Sequence, residues 1–426
     1  MSDSPKIYFI ACCFPPFGRG NAITNASVAN YLADRFDVEV LCMERVAGGV
    51  ISYQADSSLE EGLNPALTVR RVRPANWFGL NIWLYAAGIL PCYYLNWAWR
   101  AWWQREELIR GPGIVFAVYP VFSDLVLGWL ISRRYGLPLL VDFRDDFSGV
   151  MSRGWRRIFK PFYRVLEKWV VRQATRITVT TENLRIDLQG RYGLSDQEIE
   201  TVYNVVPPSP TGGQRPKPTS AVSRVIYAGA MSRVQRPEIL CKAHAWLCDR
   251  DLKWQERLQI DMYGPQSPYF VINIRKHLGL GRHFGGFKPQ VEVAQRVAEA
   301  DIGFFSLADA TYAYATPTKL FDYIEAGVPI VASLPPGAAR DLVLRYEIGL
   351  VAEAGDVEGL AHCLERMVTD LHFRDRCREN MAAIRQQFSP EEQVGRWCEI
   401  LDDMGRSSAR GKRREQRSEL FGQEIG

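Results

Sequence analysis

The stretch TPTKLFDYIEAGVPIVAS, Thr316 to Ser333, reads as a helix that stops at Ala326-Gly327-Val328-Pro329 and feeds a buried strand. Thr316 is a good N-cap residue and Pro317 is pre-set for the first helical position. The backbone N–H groups of Thr318 and Lys319 therefore open a helix with no partner inside it, beside a lysine. Such a helix start binds phosphate. Asp322 lies three and four residues further on, on the face of Lys319 and Thr318. A carboxylate there accepts hydrogen bonds from a ribose diol while the helix start holds a diphosphate. A capped helix with a surface Lys/Asp pair has the same local pattern, so the surroundings have to decide between the two.

Outward from this unit, short apolar runs alternate with longer segments of helical period, the signature of βαβ units around parallel sheets. Before residue 207 the expected strands are Lys6–Cys12, Val38–Met43, Ile114–Val118, Leu139–Phe143, Arg176–Thr180 and Ile199–Tyr203, with helices between them. PPSPTGGQRPKPTS, Pro207 to Ser220, is a linker by its Pro, Gly and Ser content. The alternation restarts with Val222–Tyr227, Leu258–Tyr263, Ile302–Ser306 and Ile330–Ser333. The expected plan is a first α/β domain over 1–206, the linker 207–220 and a second α/β domain over 221–387. A last helical segment over 388–405 and a basic, disordered tail over 406–426 follow. Two doubly wound domains leave a cleft between them, and ligands sit at the carboxyl ends of the strands.

With 426 residues the chain exceeds one ordinary domain, and 47% hydrophobic and 23% charged residues suit a globular protein. The net charge of +4 is too mild for a nucleic-acid binder. Nine cysteines without a CxxC pair read as reduced, buried thiols. The opening MSDSPKIYFIACCFPP reads as a first strand rather than a signal peptide.

From Ala75 to Trp99 there is no charged residue, and Trp, Tyr and Leu are dense. The run is long enough to span a bilayer. Yet strands on both sides belong to one parallel sheet, and basic residues flank both ends. The expectation for 75–103 is a pair of helices docked on a membrane surface of anionic lipid, with burial and a true span as alternatives. From Arg153 the chain reads RGWRRIFKPFYRVLEKWVVRQ. Its stripe Ile158, Phe162, Val165 and Trp169 reads first as a core face, with cations around it placed to meet anionic lipid.

In the first half, Gly18 and Gly20 flank Arg19 after the first strand, where a glycine turn opening a helix permits close approach to phosphate or sugar. Asp142, Arg144, Asp145 and Asp146 crowd another strand end. They either position a substrate hydroxyl or form a structural ion-pair network, and a metal site is a weaker third option.

TPTKLFDYIEAGVPIVA, preceded by AEADIGFFSL from Ala298, resembles the donor-site signature of retaining family-4 glycosyltransferases with the GT-B fold. KIYFIACCFPPFGRGNAITNASVANYLADRFDVEVLCM, LPLLVDFRDDF, ATRITVTTENLR, VIYAGAMSRVQRP and FSPEEQVGRWCEIL resemble further segments of that family in order. The resemblance implies two Rossmann-like domains facing a central cleft, with a C-terminal helix crossing back to the first. It implies retaining sugar transfer from a nucleotide-diphosphate sugar to a glycan or lipid-linked acceptor, without metal or cofactor, on the cytoplasmic face of a membrane. Asp322 stands where the family binds the donor ribose. Lys319, with Arg233 or Arg236 of the basic loop, would neutralise the departing diphosphate. Donor contacts would further come from Gly18, Gly20, Gly229, Gly264, Tyr314, Thr316, Pro317, Thr318 and Leu320. Asp145 would serve the chemistry, and Tyr119, Asp142 and Arg144 the acceptor.

Two departures stand out. Tyr314 occupies the place, eight positions before Asp322, of a second acid common in the family, and Tyr119-Pro120 stand where many members have a histidine. Two rival functions follow: a nucleotide-sugar 2-epimerase of the same fold, and a catalytically silent membrane-bound partner in polysaccharide assembly.

Overall fold

Helices cover both faces of two parallel sheets, which is why inner strands such as Ile7–Ile10, Ile114–Tyr119 and Ile330–Leu334 are buried along their whole length. The computed structural model describes residues 5–46, 54–151, 154–213 and 222–423, with all their side chains except those of 155 and 409–423. The linker expected over 207–220 thus lies outside the described residues from 214 onward.

The first sheet contains Ile7–Ile10 (β1), Val38–Met43 (β2), Thr68–Val72 (β3), Ile114–Tyr119 (β4), Leu139–Phe143 (β5), Arg176–Val179 (β6) and Ile199–Thr201 (β7). The second contains Ser223–Ala228 (β8), Leu258–Tyr263 (β9), Arg282–Gly286 (β10), Ile302–Ser306 (β11), Ile330–Leu334 (β12) and Gly349–Glu353 (β13). The strand orders are β3-β2-β1-β4-β5-β6-β7 and β10-β9-β8-β11-β12-β13. Each order reverses direction once, between β1 and β4 and between β8 and β11, and the crevice at such a reversal is where open α/β sheets hold ligands.

Successive residues of β1 serve opposite cores: Tyr8 and Ile10 join one cluster, Ile7 and Phe9 the other. The second core includes Trp397, Leu401 and Met404 from the helix Pro390–Gln423, so the end of the chain returns to the first lobe. Trp397 is 1% exposed. Its ring centroid lies 5.9 Å from that of Phe116, and its indole N–H donates to Thr178 Oγ1 at 3.1 Å.

Three strands absent from the sequence expectation, β3, β10 and β13, are all sheet edges. An edge is half-solvated and tolerates charge, so TVRRV and RHFGG carry no long apolar run and GLVAE only three apolar residues before Glu353. The tail expectation also changes. The backbone helix begun at Pro390 continues through 406 to Gln423, because Arg, Lys, Glu and Gln propagate a helix once it is nucleated.

The uncharged segment is broken into the helices Leu80–Ala86 and Leu95–Trp103. Gly79 and Gly88, both left-handed, bound the first of them. Among the described residues no helix is long and apolar enough to cross a membrane. Leu80–Ala86 is seated on the helix Lys160–Gln173: the Arg156 guanidinium stacks 4.1 Å over the Tyr85 ring, and the Tyr163 hydroxyl donates to Gly88 O at 3.3 Å.

The expected core stripe of that helix faces outward. Ile158, Phe162 and Val165 are 73%, 45% and 65% exposed, while Tyr163, Glu167, Val170 and Val171 are buried. Glu167 sets this rotation. Its carboxylate is drawn inside by Arg191 at 2.7 Å, by the Ser148 amide at 3.1 Å and by the Tyr192 hydroxyl. Turning this buried carboxylate to solvent would break all three bonds, including its ion pair with Arg191, a guanidinium that also pairs with Asp146 and Asp187. Trp169 alone of the stripe stays half-buried, its ring 4.5 Å from that of Trp129.

Trp397→Ala should remove about 3–5 kcal/mol from the first cooperative transition in urea, the cost of deleting a fully buried indole. A change under about 1 kcal/mol would show that the returning helix does not support the first lobe.

Candidate active site

The helix Thr318–Ala326 starts without a side-chain cap. Pro317, extended at φ −58° and ψ 144°, precedes it, and its first turn holds no acid. Thr316 is therefore not the N-cap that its residue type suggested. Its carbonyl is held by the Asn204 side-chain amide at 3.0 Å, and its hydroxyl is buried with no hydrogen-bond partner. Asn204 fixes the chain one residue too early for the threonine to reach the helix amides. The Thr318 and Lys319 amides are left for a ligand, beside an unsatisfied hydroxyl.

Lys319 is buried at this helix start, and its ammonium lies 5.1 Å over the Tyr227 ring. It fits because residue 229 has no side chain: a Cβ there would stand 2.4 Å from Lys319 Cε and 2.5 Å from Nζ. Gly229 also adopts φ +145°, a conformation L side chains rarely take. Its carbonyl is crowded in turn by Gly264, whose Cβ would meet it at 2.1 Å. Burial lowers the Lys319 ammonium to about pKa 8, and Asp322, one turn along, offsets part of that shift.

Burial likewise pushes the Asp322 carboxyl up, against the pull of Lys319. The neighbouring Glu325 charge raises it further. Asp322 lines a small open depression together with Pro207, Ser209, Gln290, Val293 and Glu325.

The other predicted residues divide by lobe. Arg233 lies exposed on its loop, and Arg236, left-handed at φ +43°, turns its Nε toward Glu238 at 3.4 Å. Lys319 is thus the cation seated on the Gly229 turn. Leu320 is core. Gly20 opens the helix Gly20–Ala33, with nothing near its missing side chain. A Cβ on Gly18 would stand 2.6 Å from Phe287 of the second lobe, so this loop touches the opposite wall of the cleft.

Asp142 is fully buried and accepts from Arg144 Nε at 2.7 Å and Thr178 Oγ1 at 2.8 Å. Arg144 donates onward to Asn25 at 2.8 Å. Of the two readings of this cluster, the ion-pair network is the one in which Asp142 and Arg144 are found. Tyr119 is core, its ring 5.4 Å from Phe147, and burial with the charges of Asp145 and Asp146 pushes its hydroxyl well up. Asp145 is half-buried and accepts a hydrogen bond from the Tyr314 hydroxyl at 3.0 Å. Among the described residues no three His, Cys, Asp or Glu side chains gather as metal ligands.

Sequence reasoning missed Asp56, Thr181 and Asn204. Asp56 accepts from the Gln290 amide at 2.8 Å, at the first turn of the helix Gln290–Glu299. Thr181 donates to Tyr314 O at 2.8 Å. Each bond joins elements more than 100 residues apart, and no local pattern marks such partners.

Two family models cover most of the chain: a glycosyl transferase 4-like domain over residues 20–205 and glycosyl transferases group 1 over residues 217–383. The D-inositol 3-phosphate glycosyltransferase of Thermobifida fusca is 24% identical over 341 residues, 74% of each chain. That of Salinispora arenicola is 24% identical over 70% of this chain and 71% of its own. Among solved structures, sucrose-phosphate synthase from Thermosynechococcus elongatus superimposes with a TM-score of 0.69 at 15% identity, covering 95% of this chain and 100% of its own. Anabaena HepE in complex with UDP-glucose gives 0.64 at 15% identity, covering 94% and 100%. WaaG, a glycosyltransferase involved in lipopolysaccharide biosynthesis, gives 0.62 at 15% identity, covering 93% and 99%. These likenesses place the chain in the GT-B fold.

Lys319 would hold a diphosphate only when protonated. With UDP as the probe, affinity should hold below its pKa of about 8 and fall as pH rises through that value. The loss should approach about 1.5–3 kcal/mol, the worth of a hydrogen bond to a charged group. In Lys319→Arg the guanidinium stays charged and the profile should flatten. Calorimetry across the range decides, and parallel profiles would remove Lys319 from the diphosphate site.

Proposed function

The chain belongs to the glycosyl transferases of group 1, and from that membership we propose a retaining transfer of sugar from a nucleoside-diphosphate sugar to an acceptor presented at a membrane surface. The observation that carries the donor half is the uncapped start of Thr318–Ala326, with Lys319 seated on Gly229 and Asp322 one turn along. Free amides and an ammonium suit a diphosphate, and a carboxylate beside them suits a ribose diol. Positive charge held there stabilises the phosphate as it departs. Retention follows if that phosphate then takes the proton of a hydroxyl arriving on the same face.

The acceptor half rests on the outward face of the first lobe. Phe78, Trp83 and Ile89 are exposed beside Ile158, Phe162 and Val165, and the surrounding Arg157, Lys160 and Arg164 are exposed as well. Apolar side chains ringed by cations suit a peripheral contact with anionic lipid at the cytoplasmic face of a membrane. A lipid-linked glycan acceptor would then enter the cleft without leaving the bilayer.

A panel of nucleotide sugars screened by thermal shift tests the donor. The true donor at 100 times its dissociation constant adds about 2.7 kcal/mol of stability. Asp322→Ala should cost about 1.5–3 kcal/mol of that affinity. No stabilisation by any nucleotide sugar would refute the proposal. Release of a free 2-epimer without acceptor would support the epimerase, and an inverted product anomer would exclude retention.

Flotation with vesicles rich in anionic phospholipid tests the surface. Wild-type protein should float and be released by high salt. Phe78→Ser with Trp83→Ser and Phe162→Ser should abolish flotation and spare activity on a short soluble acceptor. Tyr85 is left unchanged because it lies under Arg156. Wild-type protein that stays at the bottom of the gradient would rule the contact out.

A further inference from the structure

The residues just before the donor helix are fastened from the opposite lobe. Thr181, N-cap of the helix Glu182–Tyr192, accepts from the Leu184 amide at 3.2 Å and donates its own proton to Tyr314 O at 2.8 Å. Asn204 donates to Thr316 O at 3.0 Å. The Tyr314 hydroxyl reaches back to donate to Asp145 Oδ1 at 3.0 Å, and its ring packs on the first-lobe core. From the second lobe, the Ala338 amide donates to Ala313 O at 2.7 Å. The segment 313–317 is therefore clamped between the lobes, and it ends at the amides that would hold a diphosphate.

Where the resembling family places an acid, residue 314 thus presents a phenol, a donor rather than an acceptor. Its partner is Asp145, a half-buried carboxylate just after β5, while Asp142 is sealed in its ion pair with Arg144. We propose that Tyr314 is a positioning residue for the transfer reaction: its hydroxyl ties the Asp145 carboxylate to the start of the donor helix, so that the acceptor-side carboxylate is set only when the two lobes are closed on each other. This rests on the sugar-transfer function proposed above. The Thr181 and Asn204 bonds hold the backbone on either side of Ala315, so the Tyr314 hydroxyl meets Asp145 from a fastened segment.

The test uses Tyr314→Phe, Asp145→Ala and the double variant, with UDP as the binding probe and the donor found by the thermal panel as substrate. Tyr314→Phe should keep UDP affinity within about twofold and lower kcat by about tenfold or more. The double variant should be no slower than Asp145→Ala alone, because the two groups act as one unit. Thermal midpoints of the same four proteins need no substrate and read the bond itself, and the two single shifts should not add. Additive midpoint shifts would show that the bond does not form. Losses of turnover that multiply, or a loss of UDP affinity that matches the loss of kcat, would overturn the positioning role. If no nucleotide sugar is turned over, the transfer function fails, while the midpoint cycle still upholds or overturns the bond.

Discussion

Lys319 occupies a place that only a missing side chain makes available. Its stem fills the space where residue 229 would carry a Cβ, and the Gly229 carbonyl is pressed by Gly264 from the other side. Three backbone segments, after β8, after β9 and at the start of Thr318–Ala326, therefore meet around one ammonium. A cation held in low dielectric without a tight carboxylate partner is costly, and its lowered pKa records that cost. An anion bound beside it would relieve that cost.

The first lobe supplies the frame in which that helix start is held. Asp56 at Gln290, Gly18 against Phe287, Thr181 and Asn204 on the backbone of 314–316, and Asp145 with Tyr314 all cross the cleft. None is a large apolar contact. The hydrogen bonds among them are individually worth about 0.5–1.5 kcal/mol net.

On the outer side of the same lobe, a buried carboxylate decides what faces solvent. Glu167, satisfied by Arg191, Ser148 and Tyr192, turns the helix Lys160–Gln173 so that its apolar stripe points away from the core. Exposed Ile158, Phe162 and Val165 then lie beside the short helix carrying Trp83, which Arg156 and Tyr163 fasten in place. The charge that would ordinarily mark a solvated face is inside, and the apolar residues that would ordinarily mark a core are outside.

What the sequence determined by itself follows from burial and from local stereochemistry. Inner strands of a parallel sheet are covered on both faces and rich in apolar residues, so the nine inner strands stood out together with the edge strand β7, while the edge strands β3, β10 and β13 did not. The helix start at Thr318 was legible because Thr-Pro-Thr-Lys sets backbone geometry within a few residues. The cap at Thr316, the rotation of Lys160–Gln173 and the partners of Tyr314 were not, since each is decided by a side chain far along the chain: Asn204, Arg191 and Asp145. Tertiary structure alone settled these, because a hydrogen bond or ion pair formed out of water outweighs the modest preferences of a residue for a cap or a face.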